Sequence, residues 1–215
     1  MTFARRAWIV LWKDLLTERR SKESLNALFF FAILLLFLFE FALGPDRERL
    51  VAALPGLLGL GRTFLVEREN DCWEGLMLTP GDKGAIYLGK LAVNFLLMTA
   101  VEILLLGLFG IFYNVDLWES LAPLSVVIFL GTVGLASVGT LFGAMTSQVR
   151  ARELLFPLLL LPVQVPVLLG TVKATEAVLQ GLALAEVGHW LKLLAAADLV
   201  YLVVGILTFE FVLEA

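Results

Sequence analysis

Histidine and cysteine are almost absent from this sequence: His189 and Cys72 are single examples in 215 residues. One cysteine excludes an internal disulfide framework, and a metal site would need an acidic cluster that no apolar segment supplies. The phosphate-binding loop Gly-x-x-x-x-Gly-Lys-Ser/Thr is missing, as are His-Glu-x-x-His, Cys-x-x-Cys and Gly-x-Ser-x-Gly. We therefore expect a non-catalytic chain that holds no metal or cofactor of its own.

Charge is also scarce, at 17% of residues, while 60% are hydrophobic. Soluble domains have about 25% charged and 45–50% apolar residues. The apolar residues form long continuous blocks, and roughly 20 such residues cross the ~30 Å hydrocarbon core as a helix. The composition predicts an all-α polytopic membrane protein with one transmembrane domain over residues 1–215.

Six segments are predicted to cross the membrane. The second is short, because only Leu50 to Leu60 is apolar and eleven residues rise only ~17 Å. With six spans and a cytoplasmic N-terminus, twelve of the sixteen basic residues lie inside; without the second span the division is eight and eight. The positive-inside rule favours six spans with both termini in the cytoplasm. The spans are residues 25–43, 50–66, 91–112, 121–146, 154–170 and 193–213.

The first 23 residues combine basic side chains with apolar residues at helical spacing, including Trp8 and Trp12. This pattern is typical of an amphipathic helix on the membrane surface with tryptophan at headgroup depth. We expect an interfacial helix over residues 1–23, the alternative being an ordinary basic tail.

Residues 67–80 combine acidic and apolar side chains before the turn signal Thr79-Pro80-Gly81. A short helix of this kind suits docking into a groove on a partner, and the alternative is a solvated loop. The predicted docking residues are Glu67, Glu74, Leu76, Leu78 and Pro80.

Ionisable groups inside predicted spans are costly and often functional, and the candidates are Glu40, Glu102 and Asp198. Glu40 lies near the outer end of the first span. Glu102 lies at the middle of the third span, facing a polar cavity or partner, or serving as a hydrogen-bonded packing residue. Asp198 lies in the outer third of the last span, close enough to the interface to reach water. His189 is expected to be a surface residue rather than a haem ligand.

Small residues and prolines mark two further spans. Gly131, Gly139 and Gly143 share one stripe, and such spacing lets helices approach closely, either within one subunit or between subunits. Three prolines interrupt the fifth segment, which is predicted to be either a flexing element or a statically bent helix. They are Pro157, Pro162 and Pro166.

The order of these features resembles the CcmB family, the haem exporter B proteins of cytochrome c maturation. The resemblance covers essentially the whole chain. It rests on a Phe-rich first span ending at Gly44-Pro45 and on scattered matching residues, which are Glu23, Ser24, Leu25, Asn26, Glu67, Glu74, Leu76, Leu78, Pro80 and Lys90.

The resemblance implies a fold like that of ABC-2-type permeases in the bacterial inner membrane. It implies a separate cytoplasmic ATP-binding subunit, a membrane subunit that handles haem through a Trp-rich motif, a small single-span subunit and, indirectly, a periplasmic haem chaperone. ATP and haem would then be bound by the partners. One departure is the second span, which is about ten residues shorter than in the family.

Two other functions fit the residues alone. One is an ABC-2-type permease that exports a different substrate, such as a lipid or drug. The other is a membrane-embedded haem-binding or scaffold protein, for which His189 would be the only plausible ligand.

Overall fold

The computed structural model describes residues 3–20, 83–113, 120–146, 152–182 and 186–214, and the regular secondary structure in these ranges is α-helical. The predicted spans 25–43 and 50–66 and the docking segment 67–80 lie outside them. The described helices are α1 (Phe3–Arg20), α2 (Lys83–Tyr113), α3 (Leu121–Thr146), α4 (Arg152–Leu179) and α5 (Gly188–Glu214).

Three of the described helices are long and apolar enough to cross a bilayer. The stretches concerned are Lys83–Ile111 of α2, Leu121–Met145 of α3 and Gly188–Val212 of α5, with mean hydropathies of 2.2, 2.1 and 2.0. At ~1.5 Å per residue each exceeds the ~30 Å hydrocarbon core. Length and composition thus identify a membrane protein.

The helix bounds differ from the predicted spans at charged residues. α3 has the predicted bounds, but α2 begins at Lys83 rather than residue 91, and α5 begins at Gly188 rather than residue 193. α4 continues to Leu179, nine residues past the predicted end, and remains one helix through the positions of its three prolines. Hydropathy marks where an apolar run ends, whereas the backbone hydrogen bonds of a helix continue past lysine at the interface.

α3 lies at the centre of the described helices, because α2, α4 and α5 all pack against it. The main core includes Leu105 of α2, Leu135 of α3 and Leu160 of α4, all buried. The opposite faces of α2 and α5 are also apolar: Ile111 is 78% exposed and Phe211 is 72% exposed. Helices that are apolar both inside and outside the bundle suit a lipid environment.

Candidate functional site

The described residues contain two buried carboxyl groups, a cavity next to one of them, and a tight junction between α1 and α2. The predicted docking residues Glu67, Glu74, Leu76, Leu78 and Pro80 lie outside the described residues.

Glu102 of α2 lies at the contact with α3 and is 1% exposed. The Thr132 hydroxyl is 3.0 Å and 2.9 Å from the two Glu102 carboxyl oxygens, and 2.7 Å from the Ile128 carbonyl oxygen one turn back. The hydroxyl has one hydrogen for these three acceptors. A Glu102 carboxylic acid that donates to Thr132, which then donates to Ile128, satisfies the whole chain of contacts.

A cavity of about 280 Å³ lies beside Glu102, between α2 and α3. Its walls are apolar, and Phe95 and Phe129 meet edge to face at 5.4 Å. Thr99, one turn before Glu102, has a buried hydroxyl in this region without a partner among the described residues. The lining residues are Phe95, Thr99, Glu102, Ile103, Leu106, Leu121, Leu124, Ser125, Ile128 and Phe129.

Asp198 of α5 is 5% exposed, whereas its position in the sequence suggested access to water. Because α5 begins at Gly188, Asp198 lies almost three turns into the helix. Its Oδ1 atom is 2.6 Å from where a Cβ on Gly134 of α3 would lie, and Val167 of α4 is 3.1 Å from the same point. Neither carboxyl oxygen has a hydrogen-bond partner within the described part of the chain.

Glycine positions separate into two groups on α3. Gly131, Gly139 and Gly143, predicted from their spacing, are all buried, so this stripe faces the interior of the bundle. Gly134 lies off the stripe and is also a position at which α4 and α5 approach α3 closely. Spacing along α3 could not identify Gly134, because the close approach depends on side chains of two other helices.

α1 packs directly on the first turns of α2. A Cβ on Gly89 would lie 2.8 Å from the Val10 Cβ and 2.9 Å from the Ala7 carbonyl oxygen, so only glycine leaves room for α1. Lys90 Nζ lies 3.6 Å from Asp14 Oδ2, and both side chains are close to 90% buried. The two helices therefore form one packed unit.

The other face of α1 carries a tryptophan pair. Trp8 and Trp12 are 62% and 53% exposed, and their rings stack with centroids 6.4 Å apart. Exposed Ile9 and Leu16 extend this apolar face. The distribution fits a helix that lies at a membrane interface with tryptophan at headgroup depth.

Tyr87 joins the start of α2 to α3 and α5. Its hydroxyl donates to the Ser137 carbonyl oxygen at 3.0 Å, and its ring is 5.3 Å from that of Phe209. The ring passes so close to Gly205 that a Cβ there would collide with it. Since Val10 packs on the same cluster, the position of α1 is tied through Tyr87 to the centre of the bundle.

His189 is an exposed residue near the start of α5, with its ring 4.9 Å from that of Trp190. Within the described ranges, no group of three or more His, Cys, Asp or Glu side chains could hold a metal ion. The polar groups buried inside the described bundle are mostly oxygen atoms of carboxyl, amide and hydroxyl side chains.

Comparison with known proteins gives one consistent result. The chain matches the family model described as CcmB protein over residues 5–214. It is 32% identical to Heme exporter protein B of Pseudomonas aeruginosa over 193 residues, covering 84% of this chain and 85% of the relative. It is 30% identical to Heme exporter protein B of Haemophilus influenzae over 171 residues, covering 74% and 76% of the two chains. The match to the family model spans nearly the whole chain, and the chain belongs to the CcmB family.

Proposed function

We propose that this chain is the membrane permease subunit of an ATP-driven complex for cytochrome c maturation, acting in haem delivery and in release of the haem-loaded periplasmic chaperone. The observation that carries the proposal is the family match over residues 5–214, together with relatives named Heme exporter protein B. The long apolar helices suit a subunit embedded in the membrane.

The topology in this proposal has six spans in the bacterial inner membrane, an ABC-2-type arrangement and both termini in the cytoplasm. It is supported by the distribution of basic residues and by the packing of α2, α4 and α5 around α3. In this topology the start of α2 and all of α1 lie on the cytoplasmic side, next to the segment 67–80.

The partners in the proposal are a cytoplasmic ATP-binding subunit, a Trp-rich haem-handling membrane subunit and a small single-span subunit. ATP and haem are bound by these partners rather than by this chain. The ATP-binding subunit docks on Glu67 and Glu74, with Leu76 and Leu78 as the apolar seat before Pro80. In a short helix Glu67 and Glu74 are two turns apart on one face, while Glu69 lies on the opposite face.

The α1–α2 unit supports a route by which docking moves the spans. The docking segment ends three residues before α2 begins at Lys83, and α2 is held to α1 by Gly89 and the Lys90–Asp14 pair. Tyr87 then connects this unit to α3 and α5. A push on residues 67–80 would therefore reach several helices through packed side chains.

The test is purification of the tagged full-length chain from solubilised membranes, with ATP hydrolysis of the eluate as readout. Glu74→Lys should lose the hydrolysing partner while the chain stays in the membrane, and Glu69→Lys, the same charge reversal on the other face, should retain it. A wild-type chain that purifies without any ATP-hydrolysing partner would contradict the proposal. Equal retention by both variants would contradict the docking assignment alone.

A further inference from the structure

Buried polar atoms without hydrogen-bond partners are concentrated at one place among the described residues. They are Oε1 of Gln164 and the hydroxyls of Thr171 and Thr175 on α4, and both carboxyl oxygens of Asp198 on α5. All four residues are at least 95% buried. The remaining atom of this kind within the described ranges is the Thr99 hydroxyl on α2.

The three α4 residues form a stripe on one face. Their spacings of seven and four residues place them within ~40° of one another, and the stripe runs ~17 Å along the helix axis. It extends from Gln164, at the middle of the bundle, to Thr175, one turn before α4 ends at Leu179. Thr171 and Thr175 are one turn apart, whereas Gln164 is separated from Thr171 by two turns that include Val167 and Leu168.

The hydroxyls of this stripe differ from others in the bundle. Thr132, Thr140 and Thr208 each donate to the carbonyl oxygen four residues earlier, at 2.7 Å. Thr171 and Thr175 make no such bond. Each retains a hydrogen to donate and lone pairs to accept, which a hydrogen-bonding path requires of its members.

The inner end of the stripe meets Asp198 at Gly134. The side-chain amide N–H of Gln164 donates to the Gly134 carbonyl oxygen at 3.3 Å. The Oε1 atom of Gln164 remains as an acceptor. Asp198 approaches the Cα side of the same glycine. A Cβ at residue 134 would lie 2.6 Å from Asp198 Oδ1.

No cationic side chain among the described residues neutralises Asp198. α3 carries no charged residue, and on α4 Lys173 pairs with Glu176 at 2.9 Å, both partly exposed. On α5, the Tyr201 hydroxyl donates to the Val163 carbonyl oxygen at 2.6 Å and so is not available to the carboxyl group. The described titratable groups near the ends of α5 are exposed, and they are His189, Lys192 and Glu210. On α2, Glu102 bonds Thr132, Tyr87 donates to the Ser137 carbonyl oxygen, Lys90 lies 3.6 Å from Asp14 of α1, and Lys83 is the first residue of the helix.

We propose that Asp198 is a proton-binding site within the membrane, and that its proton exchanges with the Leu179 end of the bundle along the side of α4 that carries Thr171 and Thr175. A buried carboxylate without a countercharge is costly, and the proton removes the charge without needing a coordination shell. The step is a proton transfer alone: a hydronium ion gives a proton to the carboxylate, which becomes a carboxylic acid, and water remains. Binding and release change the charge at the point where α3, α4 and α5 meet.

The test is infrared difference spectroscopy of the full-length chain in lipid nanodiscs, between acidic and alkaline buffer. We expect a carbonyl stretch of a protonated carboxyl group that responds to pH, is absent in Asp198→Asn and is shifted in Asp198→Glu. Its hydrogen–deuterium exchange should slow at least tenfold in Thr171→Val/Thr175→Val. The matched control is Thr208→Val, which removes a hydroxyl from α5 and should leave the exchange rate unchanged.

An Asp198 band that is missing at every pH, or that does not change with pH, would overturn the proton site. An unchanged exchange rate in the double variant would overturn the path. If Asp198→Asn does not fold, the shift in Asp198→Glu and the exchange rate of the double valine variant decide between these outcomes, since valine preserves the shape of threonine.

Discussion

The two buried carboxyl groups of the described helices, Glu102 and Asp198, have the same chemistry but different surroundings. Glu102 has a hydroxyl group within 3.0 Å of both its oxygens, whereas Asp198 lies against Gly134 with no hydrogen-bond partner among the described residues. A hydrogen-bonded acid can serve as a packing residue, while an unpartnered one is available to bind a cation. Substitutions of Glu102 and of Asp198 should therefore change the stability of the protein differently. Variants of Glu102 test the role of a hydrogen-bonded acid.

Replacing Glu102 by glutamine should leave the free energy of unfolding within about 1 kcal/mol of wild type, because the amide can donate to Thr132 as the acid does. Glu102→Ala removes that donor and leaves a void, and should cost about 2–3 kcal/mol. Unfolding of the purified chain by titration with a denaturing detergent measures both. Equal losses in the two variants would show that Glu102 is held through its negative charge instead.

Gly134 is predicted to tolerate no side chain. Gly134→Ala places a Cβ 2.6 Å from Asp198 and 3.1 Å from Val167, and this overpacking should lower the free energy of unfolding by about 1–3 kcal/mol. Gly107→Ala on α2 is the matched control, since nothing lies within 4 Å of its Cβ position. If both alanine variants unfold at the same detergent fraction as wild type, this result would contradict the close contact between Gly134 of α3 and Asp198 of α5.

At the residue scale, the sequence identifies chemical types but not partners. Glu102 and Asp198 are conspicuous in the sequence because carboxyl groups are rare in apolar runs. Thr132 and Gly134 are not, because their importance arises from contacts with other helices. The unpartnered hydroxyls of Thr171 and Thr175 escape notice because the predicted span ends before them.

At the scale of elements, α1 and α2 act as one body. The predicted amphipathic pattern of residues 1–23 is present as α1, with its tryptophan pair exposed. Nothing in the residue pattern marks the opposite face, where Ala7 and Val10 fit against Gly89. Gly89 precedes the predicted span that begins at residue 91. Its packing against α1 could not be predicted without knowing that α2 begins at Lys83.

Asp14→Asn should loosen this unit, because it removes the carboxylate that lies 3.6 Å from Nζ of the nearly buried Lys90, at a cost of about 3 kcal/mol. We expect faster hydrogen–deuterium exchange in residues 3–20 of the variant, measured by mass spectrometry in detergent or nanodiscs. The exchanged pair Asp14→Lys/Lys90→Asp should restore part of the protection. Lys13→Gln is the control: Lys13 Nζ also lies 3.6 Å from Asp14, but its side chain is 56% exposed, and an exposed ion pair contributes little to stability.

Protection of α1 that is unaltered in Asp14→Asn would contradict a role of the ion pair in holding α1 to α2. The packing at Gly89 would then have to provide the attachment alone. Gly89→Val, which inserts a branched side chain at the Val10 contact, would distinguish that case by releasing α1.

At the scale of the whole molecule, α3 organises the described helices and the connections alternate between two ends. The start of α2 lies beside the end of α5, where Tyr87 contacts Phe209, and the second half of α4 lies beside the start of α5, where Gly170 approaches Leu193. Length and hydropathy predict these helices well because each apolar run is long. The side of the membrane on which each end lies depends on the two spans before residue 67.

Cysteine labelling decides that arrangement. In a Cys72→Ser background, single cysteines at Asp46, Ser120 and Gln180 should react with an impermeant maleimide from the same, periplasmic side, and one at Lys83 only after permeabilisation. This follows because residues 50–66 cross the membrane in the six-span topology. Labelling of Asp46 and Ser120 from opposite sides would mean that residues 50–66 do not cross.

The proposed role of this chain in cytochrome c maturation is tested most directly by the level of c-type cytochromes in a deletion strain. Covalently bound haem in periplasmic and membrane proteins, detected by its peroxidase activity after denaturing electrophoresis, should disappear on deletion. It should return when the wild-type chain is supplied in trans. Normal haem staining in the deletion strain would contradict the account and favour export of another substrate.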